Sequence, residues 1–158
     1  MSLPFVVFLA AIVFMLDVGL GQLLSIGPAR PSLILLFTVY AGLTRGPIEG
    51  TIFGFALGLG QDVIGALPLG ASAFTFSVIG FCCGKLWNEG SFRMVWPWSI
   101  FVLIGALFYE MIAAYLRAQA MGTDFSTLYM QAGLTSAAYT TVLGILWFLS
   151  PLHRVRKA

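Results

Sequence analysis

Ionisable side chains are scarce in this sequence. Of 158 residues, eight are Lys or Arg, six are Asp or Glu and one is His, so 9% are charged while 59% are hydrophobic. A water-soluble domain needs a far larger polar share to cover its surface, which excludes the soluble enzyme classes at the outset. The basic residues are scattered apart from Arg154, Arg156 and Lys157, and so leave no electrostatic footprint for nucleic acid. Cysteine is nearly lacking too. Cys82 and Cys83 are adjacent in an apolar stretch, cannot staple distant segments, and read as small packing residues. The single histidine, His153, lies in the basic tail on the opposite side from Ser72, so no base stands beside that hydroxyl. Clustered metal ligands are missing as well, and neither a metal nor another cofactor is expected.

What the chain has in abundance is apolar sequence, with a mean hydropathy of +0.97. One span takes about 20 apolar residues, so the length accommodates about six spans with minimal loops and no soluble domain. Proline, glycine and charge coincide at the breaks, because such groups are tolerated at a membrane surface and costly in its core. The breaks predict helices over about 4–25, 28–44, 47–66, 70–87, 95–117 and 131–150, a single transmembrane domain over residues 1–158. The first run, Leu3 to about Ser25, lacks the basic start of a secretory signal and is too long for one, so it reads as a retained helix. Pro47 and Pro97 sit where a first helical turn begins, a place with no use for the missing N–H. In the second segment Pro28, Arg30 and Pro31 shorten the clean apolar part to Ser32–Leu43, which suits a short tilted helix or a re-entrant hairpin. The fold class that results is an all-α integral membrane bundle.

Orientation follows from Lys and Arg, which accumulate on the cytoplasmic side. With six spans and both termini inside, Arg45, Lys85, Arg93, Arg154, Arg156 and Lys157 face the cytoplasm, while Arg30 and Arg117 face out. If the second segment does not cross, the N-terminus moves outside and the bias persists, so charge does not fix the number of spans. Trp87, Trp96, Trp98 and Trp147 all fall near the proposed cytoplasmic ends, the headgroup level that tryptophan prefers. The tail reads as an anchor to anionic membrane lipid.

Two constellations stand out. Gly46, Gly50, Gly54 and Gly58 recur every four residues on the third predicted helix, a ridge that lets another backbone approach closely where lipid supplies little drive for helix pairing. Gly80 and Gly84 form a weaker pair of the same kind. The second constellation is acidic. Glu49 is explained by the first turn of its helix and by Arg45 four residues earlier. Asp17, Asp62 and Glu110 are costlier, since a charge near the bilayer centre costs about 2.5–3.5 kcal/mol on insertion scales. All three fall in the outer half, with Arg30 and Arg117, and are expected to form an outward polar cluster joined by Gln22, Thr135, Ser136 and Tyr139. The competing expectation is that each acid is satisfied separately by a neighbouring helix. Pro68 and Gly70 force a tight turn after the third helix, which the Asp62 carboxylate is placed to cap or orient. An intramembrane aspartyl protease would carry Gly-x-Gly-Asp, whereas Gly58-Leu59-Gly60-Gln61-Asp62 interrupts it with Gln61.

The run Arg30-Pro31-Ser32, then Tyr40-Ala41-Gly42-Leu43-Thr44-Arg45-Gly46-Pro47, the glycine ridge, Gly60-Gln61-Asp62 and Pro68-Leu69-Gly70 resembles the MreD family of bacterial rod shape-determining proteins over residues 30–87. Gln61 stands where that family more often has an apolar residue. The resemblance implies a non-enzymatic, multi-pass protein of the bacterial inner membrane that binds MreC. Through MreC it would work with a RodA-type glycan polymerase, a class B penicillin-binding transpeptidase and MreB, in cell-wall elongation. It also implies six helices folded like the substrate-binding subunits of energy-coupling factor transporters. The alternative function is such a vitamin-binding subunit, but the Ala-x-x-x-Ala stretch those subunits resemble one another in is missing, since Ala10 and Ala11 are followed by Phe14 and Met15.

Overall fold

The computed structural model describes residues 3–23, 31–65, 67–86 and 95–149, all of them helical or in short links. The helices are α1 (Leu3–Leu23), α2 (Leu33–Arg45), α3 (Pro47–Ile64), α4 (Ala71–Lys85), α5 (Val95–Met121), α6 (Phe125–Leu128) and α7 (Leu134–Leu149). A π turn, Tyr129–Gly133, joins α6 to α7, so the two form one rod and the described residues make up six rods. Among the described residues, Trp98–Met121 is the one helix long and apolar enough to cross a membrane by itself.

Packing partners fix the helix directions. Asp17 meets Leu33, Gly50 meets Gly42, Gly58 meets Ala73, Tyr109 meets Phe76 and Trp98 meets Gly144, so each rod runs against the one before it in sequence. As a consequence, residues near 17, 32, 62, 72, 110 and 136 share one end of the bundle.

The α3 helix is inside out relative to one in a soluble protein. On α3 the large side chains Ile48, Ile52, Phe55, Leu59 and Val63 are exposed at helical spacing, while Gly50, Gly54 and Gly58 face inward. Fully buried positions include Thr38, Ser72 and Thr75. Water would reject that arrangement and lipid accepts it, because lipid makes no hydrophobic distinction between a bulky side chain packed inside and one left outside. The buried hydroxyls of Thr38, Thr75 and Thr140 stay in the interior by donating to the carbonyls of Ile34, Ala71 and Ser136, four residues back.

Several elements differ from their sequence-based expectation. The second helix begins at Leu33 rather than near 28, and its 13 residues rise only about 20 Å. It is nonetheless the centre of the bundle, with Ile34, Leu35, Val39 and Leu43 almost wholly buried. Its apolar run therefore serves helix packing more than lipid contact, which is why length and hydropathy misjudge it. The fifth helix continues past Arg117 to Met121, because nothing between Arg117 and Gly122 interrupts the backbone ladder, and Gly122 then turns at φ +64°. The last rod starts at Phe125, with the π turn absorbing Gly133. Trp98 points into the bundle instead of the headgroup layer, donating its indole N–H to the Gly144 carbonyl at 3.1 Å and meeting Tyr40 edge-on. The side chains of Trp87, Trp96 and Trp147 lie outside the described residues.

Candidate functional site

Three helix backbones converge where glycine removes every side chain. A Cβ on Gly42 of α2 would stand 2.6 Å from the Gly80 carbonyl oxygen of α4, and one on Gly50 of α3 would stand 2.6 Å from the Gly42 Cα. Farther along the α3–α4 seam, Gly54 lies against the Phe76 carbonyl, Gly58 against Ala73, and Gly84 against Pro47. The opposing glycines on α4 thus complete the seam that the α3 ridge starts. Gly42 shares the four-residue spacing of that ridge, a signal interrupted by the break between the helices.

Gly46 acts differently from the other three ridge glycines. Its missing Cβ would meet nothing within 4 Å, and its φ is +96° with ψ 179°, a backbone state open essentially to glycine alone. It is therefore the one-residue link that reverses the chain between α2 and α3, not a packing position. Arg45, the last residue of α2, pairs with Glu49 in the first turn of α3 at 2.6 Å across that link. Each charge also opposes the dipole end it sits on.

At the other end of the bundle the acids are engaged by backbone. Asp62, 3% exposed, accepts the amides of Gly70 at 2.9 Å, Ser72 at 3.0 Å and Ala73 at 3.2 Å. Gly70 occupies the N-cap of α4 at φ +97° and has no side chain to cap with, so α3 supplies the cap from eight residues upstream. Pro68 closes the turn by accepting the Ala71 amide at 3.1 Å. The start of α2 is treated alike. Its amides at Ser32, Leu33 and Leu35 donate to Thr140 Oγ1, Asp17 Oδ1 and Ser32 Oγ at 3.3, 2.7 and 3.2 Å. Two carboxylates that look like unpaired charges in the sequence are thus held by helix N-termini, where the dipole and orphan N–H groups favour an anion.

Glu110 has a different setting. It is buried, it abuts Gly133 of the π turn, and among the described residues neither it nor Arg117 forms an ion pair. The residue before Glu110 is Tyr109, whose hydroxyl accepts from Gln61 Nε2 at 3.1 Å and whose ring stacks on Phe76 at 4.8 Å. Asp17, Glu110 and Arg117 all lie within electrostatic range of that hydroxyl. Asp17 and Asp62 thus serve as caps at the starts of α2 and α4, and among the described residues no ion pair joins Asp17, Asp62 or Glu110 to Arg117. Thr135 donates to the Gln131 carbonyl, and Ser136 receives the Thr140 hydroxyl. Arg30 and the side chain of Gln22 fall outside the described residues, as does the basic tail. Sequence reading missed Tyr109 and Thr140, because a tyrosine or threonine in an apolar helix carries no signal until its partners are known.

Among the described residues no group of three or more His, Cys, Asp or Glu is placed to hold a metal ion. Compared with known proteins, residues 1–152 match the family described as rod shape-determining protein MreD. No curated protein matches the chain.

Proposed function

The chain belongs to the family of the rod shape-determining protein MreD, and from that membership we propose that it is a non-catalytic, multi-pass component of the bacterial inner membrane that binds MreC and so supports peptidoglycan synthesis during rod elongation. The observation that carries this reading is the family match over residues 1–152. Its support in the fold is a helical bundle whose α3 turns Gly50, Gly54 and Gly58 inward and bulky apolar side chains outward. Such a body suits scaffolding, since Asp17 and Asp62 are committed to helix ends. Six spans, with both termini cytoplasmic, place the polar end on the outer side and the Arg45–Glu49 link inside. A resemblance to the substrate-binding subunits of energy-coupling factor transporters belongs to the same proposal at the level of fold. The vitamin-transport alternative is not favoured by the family match.

Affinity purification of this protein from cells expressing MreC tests the proposal. MreC is expected to co-purify, and to carry RodA-type polymerase, the class B transpeptidase and MreB with it indirectly. Gly54→Ile, which forces a branched side chain against the Phe76 carbonyl, is expected to weaken the fold or the complex. Absence of MreC from the purified material under conditions that preserve the fold would overturn the partner assignment. Thiol labelling of Leu69→Cys in a background lacking Cys82 and Cys83 tests topology: the turn is expected to react from outside intact cells. Outside labelling of the Arg154–Lys157 tail would invert the map.

A further inference from the structure

Helix α5 is longer than the helices it packs against. Its 27 residues rise about 40 Å, against about 22 Å for the 15 residues of α4 and about 24 Å for the 16 of α7. The excess lies at one end. Tyr109 stacks on Phe76 and the two helices run in opposite directions, so Ala71, five residues before Phe76, is level with about Ala114. From there to Met121 α5 continues about 10 Å past the start of α4, turns at Gly122 and comes back through α6. Gly133 abuts Glu110, which returns Met130, three residues earlier, to the level of about Ala113.

The side chains of this overhang are graded along its axis. On α5 the exposed residues Ile100, Ile104, Met111 and Tyr115 fall on one face at helical spacing. That face ends in exposed Gln119, whose amide donates to the Tyr115 hydroxyl at 2.7 Å. The Tyr115 ring meets Phe125 of α6 edge-on at 6.3 Å, and Phe125 stacks on Tyr129 at 5.7 Å. Arg117 stands in the same turn as Tyr115, half-buried, with no carboxylate paired to it among the described residues. Asp124, the one acid between residues 114 and 130, is exposed in the turn at the tip. The order is therefore aliphatic, then aromatic with a cation, then a polar amide, then an anion.

A bilayer has the same order. Tyrosine settles at the headgroup level, its ring in the apolar border and its hydroxyl toward polar groups. A polar layer roughly 5–8 Å deep lies outside the hydrocarbon, so a 10 Å overhang carries the chain through it and leaves the tip in water. Lipid phosphate in that layer supplies the anion that Arg117 does not find within the chain. Met121 and Met130, 68% and 64% exposed, would be misplaced on a tip standing in water and are not misplaced at a lipid border. A protein partner would match the apolar side chains but gives no reason for cation and anion to be sorted by depth.

We propose that the overhang formed by the end of α5 and by α6 is an interfacial anchor whose partner is the phospholipid headgroup layer of the outer leaflet. The Tyr115, Phe125 and Tyr129 rings lie at the border of the hydrocarbon and Arg117 lies against lipid phosphate. The inference rests on the membrane reading and orientation proposed above.

Nitroxide labels on the full-length protein in phosphatidylglycerol–phosphatidylcholine nanodiscs test it, with single cysteines at Met111, Met130, Met121 or Thr123 in a background lacking Cys82 and Cys83. The ratio of collisions with oxygen to collisions with a nickel chelate reports depth. It is expected to fall in the order Met111, Met130, Met121, Thr123, with Met130 and Met121 between the other two. Phe125→Ser is expected to shift Met130 toward the Thr123 value while leaving Met111 unchanged. The wild-type depth order needs no such variant and stands as a test by itself. Met130 and Met121 both at the Thr123 value, with Met111 deep, would place the overhang in water and overturn the proposal. Met130 shielded from both reagents would show a second protein chain covering it and overturn the proposal as well. Met111 at the Thr123 value would instead overturn the membrane reading itself.

Discussion

The Ser72 amide donates to Oδ1 of Asp62 at 3.0 Å, joining the end of α3 to the first turn of α4 across ten residues of sequence. Two more amides, those of Gly70 and Ala73, converge on Oδ2. Hydrogen bonds to a charged acceptor contribute about 1.5–3 kcal/mol each, and an orphaned buried donor costs about 1–3 kcal/mol. Asp62→Ala is accordingly expected to lower stability by about 3 kcal/mol, with Asp62→Asn, which keeps one acceptor oxygen, losing about 1 kcal/mol. Unfolding titrations with SDS in mixed micelles check this, and equal midpoints for all three proteins would remove the cap from the account.

The glycine seam makes a contrast that hydropathy does not. Gly80→Ala drives a methyl group into the Gly50 carbonyl, backbone against backbone, so relief requires α3 and α4 to separate. The expected cost is about 1–3 kcal/mol, as for overpacked cores. Gly19→Ala is the control, because nothing stands within 4 Å of that Cβ position and it is expected to be neutral. Thermal melts in detergent that place both variants together would contradict the seam.

Gly46→Ala is expected to destabilise by about 1–3 kcal/mol through backbone strain, despite having open space around the new methyl. Its diagnostic is that enlarging the residue further to Ser or Val adds strain at the same φ without the steep size dependence expected at Gly80. A size dependence equal to that of Gly80 would return Gly46 to the packing ridge.

The Leu33 amide is held at 2.7 Å by Asp17 from α1. Asp17→Ala is expected to speed hydrogen exchange at Leu33 and to cost about 1 kcal/mol, the scale of interhelical hydrogen bonds in membranes. Exchange mass spectrometry over residues 31–36 reads this, and unchanged protection there would mean that α2 does not depend on α1 for its cap.

By contrast, Glu49→Gln is expected to change stability by less than about 1 kcal/mol, since the Arg45–Glu49 pair is partly exposed and neighbouring in sequence. A loss several times larger in the same melts would show that the α2–α3 link depends on the charge as well as on Gly46.

Much of the fold was legible because its causes are local. Pro47 opens α3 at its first position, and Gly70 and Pro68 terminate the α3–α4 turn, as their backbone chemistry requires. The glycine spacing exposed one side of the α3–α4 seam. Its other side, Gly80 and Gly84, showed in the sequence only as a weaker pair, since two glycines in an apolar helix acquire full meaning only opposite a second ridge. The candidate site was legible only in part. Asp62 and Gly70 form a short-range unit within one turn, whereas Tyr109 depends on Gln61 from 48 residues away.

The sequence by itself determined that this chain is an apolar helical protein, where its helices break and which glycines permit close approach, because hydropathy, missing N–H groups and missing Cβ atoms act residue by residue. Tertiary structure alone decided what the acids within the helices do. A carboxylate's partners are chosen in space, and here Asp17 and Asp62 find them at the N-termini of α2 and α4, while Glu110 stays beside the π turn.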